Sequence, residues 1–506
     1  MKARWRVLPQ GIPGLDELKA LLASLSSPTE THDSVPWSSL VNHLRTSILP
    51  HLNLASLSPN YYGFVTGGAT PAALLGDFLA SIFDQNVQVH LPRETLATTL
   101  EVATLNLLVQ LFRLPEADWA IGGSGPGGAT FTTGATASNV LGLALGREYV
   151  IGKALERKGI SDHTTSSCGE YGITELMIKA GLQKIQVLST LPHSSIAKAA
   201  GIVGIGRRNI IPIAADYDPL QIDLARLEDE ARRDDVVNIL AISAGEVNTG
   251  RFATESAALM SRIRQICDAR GVWIHVDGAF GLFGRVLSPG ADVDAEKHDI
   301  VRGVEGLELA DSITGDCHKL LNVPYDCGVF FTRHKRLSED VFRNGNAAYL
   351  TSGASGIGDG VQSPLNIGIE NSRRFRALPV YTTLLAYGRA GYADMLKRQI
   401  GLARRVTAWL LGDERFEVLP RGSGEQQQQR EVLAKTFIIV LFRVKDEQLN
   451  RDFVARVNAT GKIYLSGTVW EGKPAARIAV SNWQVDIERD GRLVEEVLDQ
   501  VAGGQS

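Results

Sequence analysis

Cysteine is scarce in this chain: Cys168, Cys267, Cys317 and Cys327 are the only four in 506 residues. None forms a C-x-x-C pair and no histidine stands at zinc spacing from them, so neither a disulfide scaffold nor a structural metal site is expected. Free thiols suit a reduced, cytoplasmic setting. Long apolar runs are also missing; none approaches the ~18 residues that a membrane-crossing helix requires. The opening stretch Met1 to Leu22 is mixed in polarity and has no apolar signal core. Charge of one sign is not concentrated anywhere: 52 basic against 56 acidic residues leave a net −4 with histidine neutral. Nucleic acid and anionic membranes are therefore not expected as partners. There is no internal repeat, no H-E-x-x-H and no evident Ser-His-Asp arrangement. Gly123-Ser-Gly-Pro-Gly-Gly128 spells G-x-G-x-x-G, but a strand-like stretch follows where a dinucleotide site needs a helix, so that reading is rejected. The sequon at Asn458-Ala-Thr carries no meaning without a secretion signal.

What is present is an ordinary soluble composition, 44% apolar and 21% charged, in a chain too long for one simple core. Residues 1–75 read as an arm and helical lead-in punctuated by Pro28, Pro36, Pro50 and Pro59, with a helix opening at Pro71. Residues 76–378 alternate short apolar strands with amphipathic helices. Strands are expected over Ala129–Phe131, Ile185–Leu188, Asn209–Ile213, Val237–Ser243, Val272–Val276, Asp311–Thr314 and Val329–Thr332. Helices are expected over Asn139–Lys158, Asp223–Arg232 and Thr254–Arg270. That alternation implies an α/β domain with a mainly parallel sheet. Residues 379–506 hold a helix around Val380–Trp409 and then strands near Phe416–Leu419, Phe437–Val444, Ile463–Leu465 and Arg477–Val480, as in a small α+β domain. Arg421-Gly-Ser-Gly-Glu-Gln-Gln-Gln-Gln-Arg430 reads as a disordered surface loop.

The most informative segment is Asp311-Ser-Ile-Thr-Gly-Asp-Cys-His-Lys319, with His275-Val-Asp277-Gly-Ala279 upstream. Lys319 follows a strand in a small, polar turn. A partly desolvated amine there could hold pyridoxal phosphate as an imine, whereas taken alone it reads as an ordinary surface lysine. Asp277 ends an apolar strand, where a buried carboxylate needs a partner. A protonated pyridine nitrogen would be one; a cap on the turn at Gly278-Ala279 would be another. Thr132-Thr-Gly134-Ala-Thr136-Ala-Ser138-Asn139 leads into a helix, and its small residues, hydroxyls and helix N-terminus suit a phosphate. A simple Ser/Thr cap accounts for Ser138 but not for the run before it. His193 follows a strand and could stack on a flat ring or sit as a satisfied loop histidine.

In combination these motifs resemble the group II pyridoxal phosphate-dependent decarboxylases, the family of aromatic amino acid and glutamate decarboxylases. The likeness runs from Pro59 to Trp483 and keeps the family's order. It implies the aspartate aminotransferase-like large domain of fold type I, a seven-stranded mostly parallel sheet, and an arm exchanged across a homodimer. It further implies that Lys319 carries the cofactor, His318 contacts its phosphate, and Asp277 pairs with its ring nitrogen. Ala279 would pack on one ring face and His193 on the other. Gly134, Ala135 and Thr136 would hold the phosphate with Asp316 nearby, Ser243 would lie close, and Phe64 and Thr66 would wall the substrate pocket. Arg477 resembles the C-terminal strand arginine of this fold, a candidate carboxylate anchor.

Two departures stand out. Gly245-Glu-Val-Asn-Thr249 replaces the family's G-T-T after Ser243, leaving Glu246 as a base, a substrate-amine contact, or a residue that points away. The loop tyrosine that protonates the product carbon in the family is also missing: its expected position falls near Pro364, and Tyr349 is the nearest tyrosine. His193 or Lys319 could supply the proton instead. The expected activity is decarboxylation of an L-amino acid to its amine. A carbon–carbon lyase or a decarboxylation-coupled oxidative deaminase is the alternative, and a non-catalytic cofactor-binding protein is a third reading that Asp277, His318 and Lys319 together argue against.

Overall fold

The computed structural model describes residues 36–160, 167–287, 298–344, 361–421 and 425–503. In chain order its strands are β1 (Tyr61–Tyr62), β2 (Gly128–Thr132), β3 (Lys184–Ser189), β4 (Ile210–Pro212), β5 (Ala214–Ala215), β6 (Asp218–Ile222) and β7 (Val236–Ser243). They continue with β8 (Trp273–Asp277), β9 (Ser312–Asp316), β10 (Gly328–Thr332), β11 (Phe416–Leu419), β12 (Ile439–Val444), β13 (Tyr464–Trp470) and β14 (Lys473–Ala479). The central sheet has the order β2-β10-β9-β8-β7-β3-β4. Only β10 runs antiparallel to its neighbours; β9, β8, β7, β3 and β4 pair in parallel. This is the α/β, mostly parallel sheet of fold type I. Among the described residues no helix is long and apolar enough to cross a membrane.

The sheet is covered by helices on both faces, which is why its strands are continuous apolar runs rather than alternating ones. Every residue of β2, β7, β8, β9 and β10 is buried. Local signals return the chain to the sheet in register. The helix Ala257–Arg270 starts where Ser256 accepts from the Leu259 amide, and ends at Gly271, whose φ of +69° admits the left-handed turn that leads into β8. The long helix Ala135–Arg157 crosses beneath the sheet and contacts β7, β8, β9 and β10.

A second sheet, β1-β13-β14-β12-β11, forms the C-terminal part. Its edge strand comes from the N-terminal segment: β1 pairs in parallel with β13, and the Tyr61 and Tyr464 rings stack 4.9 Å apart. The segment expected as an arm thus contributes a strand to the other end of the chain. Two helical halves broken at Gly388 make up Ala377–Leu411 and link the two sheets.

One expectation fails. The polar stretch read as a disordered loop is largely helical, within the helix Glu425–Lys435. Glutamine and glutamate are good helix formers, and Arg404 donates to the carbonyls of Ala434 and Thr436 at the helix end. Low complexity was a poor guide because the run is also rich in helix-favouring residues.

Candidate active site

Parallel strands place their C-terminal ends on one edge of the sheet, where side chains leave the core beside a crevice. Four such ends meet here. Ser189 closes β3, Ser243 closes β7, Asp277 closes β8 and Asp316 closes β9. Ser243 pairs in register with Asp277, and Asp277 with Thr314, so the two aspartates sit on adjacent strands. Lys319 follows β9 in the short helix Cys317–Leu320.

Asp316 organises the lysine turn. Its buried carboxylate lies 3.0 Å from Lys319 Nζ, accepts from the Ala135 amide at 2.7 Å, and stands 3.6 Å from His318 Nε2. One residue therefore ties β9, the lysine and the start of the helix Ala135–Arg157. Lys319 Nζ also stands over the Phe280 ring, 5.8 Å from its centre. Burial lowers the affinity of the His318 imidazole for a proton and Lys319 adds to this, with Asp316 opposing. His318 Nδ1 accepts from the Cys327 amide at 3.1 Å, which leaves Nε2 as its remaining polar atom.

The helix start offers donors to an anion. Ala135's amide is taken by Asp316 and Ser138's by the Gly134 carbonyl, while those of Thr136 and Ala137 have no acceptor among the described residues. Gly134 lies close under His318: a Cβ there would meet His318 Cε1 at 3.3 Å.

Asp277 is 7% exposed, and among the described residues no lysine, arginine or histidine forms an ion pair with it. Oδ1 accepts from the Ala279 amide at 3.3 Å, the turn cap considered from sequence, and Oδ2 accepts from Asn139 Nδ2 at 2.9 Å. A buried carboxylate without a cation is costly unless a ligand supplies one. A protonated pyridine nitrogen meets that need, so Asp277, the Lys319 amine and the helix start all fit pyridoxal phosphate.

His193 caps the helix Ser194–Ile202. Its Nδ1 accepts from the Ser195 amide at 3.2 Å and lies 2.7 Å from Ser195 Oγ. An Nδ1 that accepts an amide hydrogen has its proton on Nε2. Thr66 and the lysine turn meet through a residue the sequence reading passed over: Tyr325 hydrogen-bonds Thr66 Oγ1 at 3.2 Å and lies against His318 with ring centres 4.3 Å apart. Phe64 is exposed. Tyr325 follows Val323-Pro324 with no local signal to mark it.

Glu246 points into its own turn. Its Oε2 accepts from the amide and hydroxyl of Thr249 at 2.8 and 2.9 Å, and Oε1 from Asn248. Of the alternatives raised above, the structure favours the one in which it faces away. Arg477 is buried, which lowers its pKa to about 10, and it donates to the carbonyls of Val247 and Gly63. Those bonds pin the pocket-wall segment to the loop after β7. At the position of the missing tyrosine there is a buried turn, Pro364–Asn366, without a phenol. Tyr349 lies outside the described residues.

Comparison with known proteins shows the family of the chain. A family model described as the pyridoxal-dependent decarboxylase conserved domain matches residues 21–426. Tryptophan decarboxylase 1 of Oryza sativa subsp. japonica is 28% identical over 496 residues, covering 94% of this chain and 85% of the relative. Phenylacetaldehyde synthase of Arabidopsis thaliana is 24% identical over 488 residues, covering 94% and 86%. The solved structure of Oryza sativa TDC with PLP and tryptamine superposes with a TM-score of 0.77 at 23% identity, covering 99% of this chain and 94% of that one.

Proposed function

The chain belongs to the pyridoxal-dependent decarboxylase family, pyridoxal phosphate-dependent carboxy-lyases, and from that premise we propose that it converts an L-amino acid to the corresponding amine and carbon dioxide. The observation that carries this reading is the buried Asp277 carboxylate, which has no cationic partner among the described residues and lies one strand away from the Lys319 turn. When bound, the cofactor supplies an electron sink for the bond that breaks.

The chain's own residues have these proposed roles. Lys319 would hold the cofactor through Nζ. Asp316, 3.0 Å from that nitrogen, keeps it oriented while it is free. Asp277 balances the positive ring nitrogen. Thr136, with Gly134 and Ala135 around the helix start, would receive the phosphate, and His318 would add Nε2, which stands 3.6 Å from Asp316. Ala279 and His193 flank the ring, with Ser243 beside them. Phe64 and Thr66 bound the substrate side chain, and Tyr325 extends that wall. His193, with its proton on Nε2, or Lys319 returns a proton to the carbon that lost its carboxylate.

A second reading draws on the turn Pro364–Asn366, which has no phenol, and on the aldehyde-forming name of one relative. In that reading dioxygen is the oxidant: amino acid, oxygen and water would give aldehyde, carbon dioxide, ammonia and hydrogen peroxide. Mass spectrometry of protein reconstituted with pyridoxal phosphate and incubated with a panel of amino acids separates the two. An amine lighter than its parent by one carbon dioxide supports the first; aldehyde with ammonia supports the second. Lys319→Ala should abolish both cofactor attachment and turnover, and retained turnover would refute the role of Lys319.

We also propose a homodimer in the cytoplasm. The helix Pro71–Ile82 leaves Leu75, Phe78 and Ile82 exposed, a patch that a second subunit would cover. The four free, buried cysteines suit a reducing compartment.

A further inference from the structure

Asn139 is fully buried at the start of the helix Ala135–Arg157 and reaches three groups at once. Its Nδ2 is 2.9 Å from Asp277 Oδ2 and 2.9 Å from Ser195 Oγ, and its Oδ1 is 2.9 Å from His275 Nε2. Behind His275, Nδ1 is 2.8 Å from Ser312 Oγ, which accepts from Trp273 Nε1 at 3.1 Å. Trp273, His275 and Ser312 are completely buried.

The direction of every bond follows from the chemistry of the two ends. A carboxylate only accepts, so Asp277 turns the Asn139 NH2 toward itself and the Asn139 carbonyl toward His275. His275 Nε2 must then carry a hydrogen. Burial drives the His275 pKa to about 3, so the ring is neutral and Nδ1 is an acceptor. Ser312 fills it with its hydroxyl hydrogen while accepting from the indole, which only donates. The chain is satisfied at every member and runs one way, from Trp273 to Asp277. One turn along the same helix, Gly142 makes room for it: a Cβ there would meet His275 Nδ1 at 2.3 Å.

We propose that Asn139 is a positioning residue for the cofactor that acts through Asp277, with His275 and Ser312 fixing the amide so that its hydrogens, never its oxygen, face the carboxylate. This rests on the reading that Asp277 binds the cofactor. A hydrogen bond to a charged acceptor is strong enough that its loss weakens the dependent ligand about ten- to a hundred-fold.

The test is a double-mutant cycle on the cofactor dissociation constant, measured by titrating pyridoxal phosphate into the cofactor-free full chain and following its absorbance. Asn139→Ala should weaken binding at least about ten-fold in the wild-type background and less than about two-fold in Asp277→Ala. Unchanged binding in the single variant overturns the proposal. So does an equal loss in both backgrounds, the pattern of a merely structural residue. If Asp277→Ala binds as wild type does, the site reading itself fails and takes the proposal with it. Should Asn139→Ala not fold, Asn139→Asp keeps the volume but opposes Asp277 with a second carboxylate. Its loss relative to wild type should shrink as the pH is lowered and the introduced carboxyl regains a hydrogen to donate. A loss independent of pH overturns the proposal.

Discussion

His275 makes a prediction that does not depend on turnover. The ring is wholly buried between the helix Ala135–Arg157 and the sheet, and burial lowers its pKa from 6.5 to about 3. An unfolded chain takes up this proton as the pH falls through the ordinary histidine range, whereas the folded chain resists until about pH 3. Between those values the unfolded state binds more protons, so stability rises with pH and is lost on acidification. Each pH unit inside the window is worth ~1.36 kcal/mol. From pH 7 to pH 5 this one group therefore costs about 2 kcal/mol. Carboxylates titrate over part of the same range, so the quantity to measure is a difference. His275→Gln keeps a donor for Asn139 and an acceptor for Ser312 but cannot titrate. Urea unfolding of the cofactor-free wild type and variant at several pH values should show the wild type losing about 2 kcal/mol more than the variant between pH 7 and 5. Parallel curves would refute the reasoning, because they would mean that folded His275 takes its proton as freely as an unfolded one.

Asp277→Ala should lower turnover by about ten- to a thousand-fold, the range in which a nearby carboxylate biases protonation of a ring nitrogen; a rate near that of wild type would show that Asp277 is not its partner. Gly142→Ala should destabilise the fold by ~1–3 kcal/mol, because its methyl must displace the enclosed His275 ring, and an unchanged melting temperature would count against the packing described. Glu101 and Arg373 form a doubly hydrogen-bonded pair, 3% and 2% exposed, at the base of the segment after Pro364–Asn366. Glu101→Ala strands a buried guanidinium and should cost ~3–5 kcal/mol in denaturant unfolding, whereas a loss below about 1 kcal/mol would mean that water reaches Arg373.

The central sheet was legible in the sequence because its strands are buried on both faces. Val-Val-Asn-Ile-Leu-Ala-Ile-Ser243 and Trp-Ile-His-Val-Asp277 leave little other than a covered parallel sheet to explain them. A lone carboxylate at the end of such a run needs a partner, so Asp277 stood out in the sequence, with a turn cap and a ring nitrogen both open as that partner. Lys319 alone read as an ordinary surface lysine and stood out only in combination with Asp277 and the small-residue loop around Gly134, each at or just after the end of an apolar strand.

Other features depended on contacts that no local pattern encodes. Asn139 stood at the edge of the phosphate-loop motif, but its role arises only when a helix 136 residues before His275 lies across β8. Ser195 reaches Asn139, Tyr325 reaches Thr66, and Tyr61–Tyr62 joins a sheet built mostly from residues after 416. Each is a pairing between distant segments, decided by how the layers dock. Glu246 shows the converse: its residue type suggested a catalytic group, and three hydrogen bonds from its own turn engage the carboxylate locally. Burial and strand-end position, set by composition along the chain, marked the candidate site residues. Which partners orient it was decided only by tertiary packing, because a hydrogen bond depends on atoms a few ångströms apart in space and is blind to their separation in sequence.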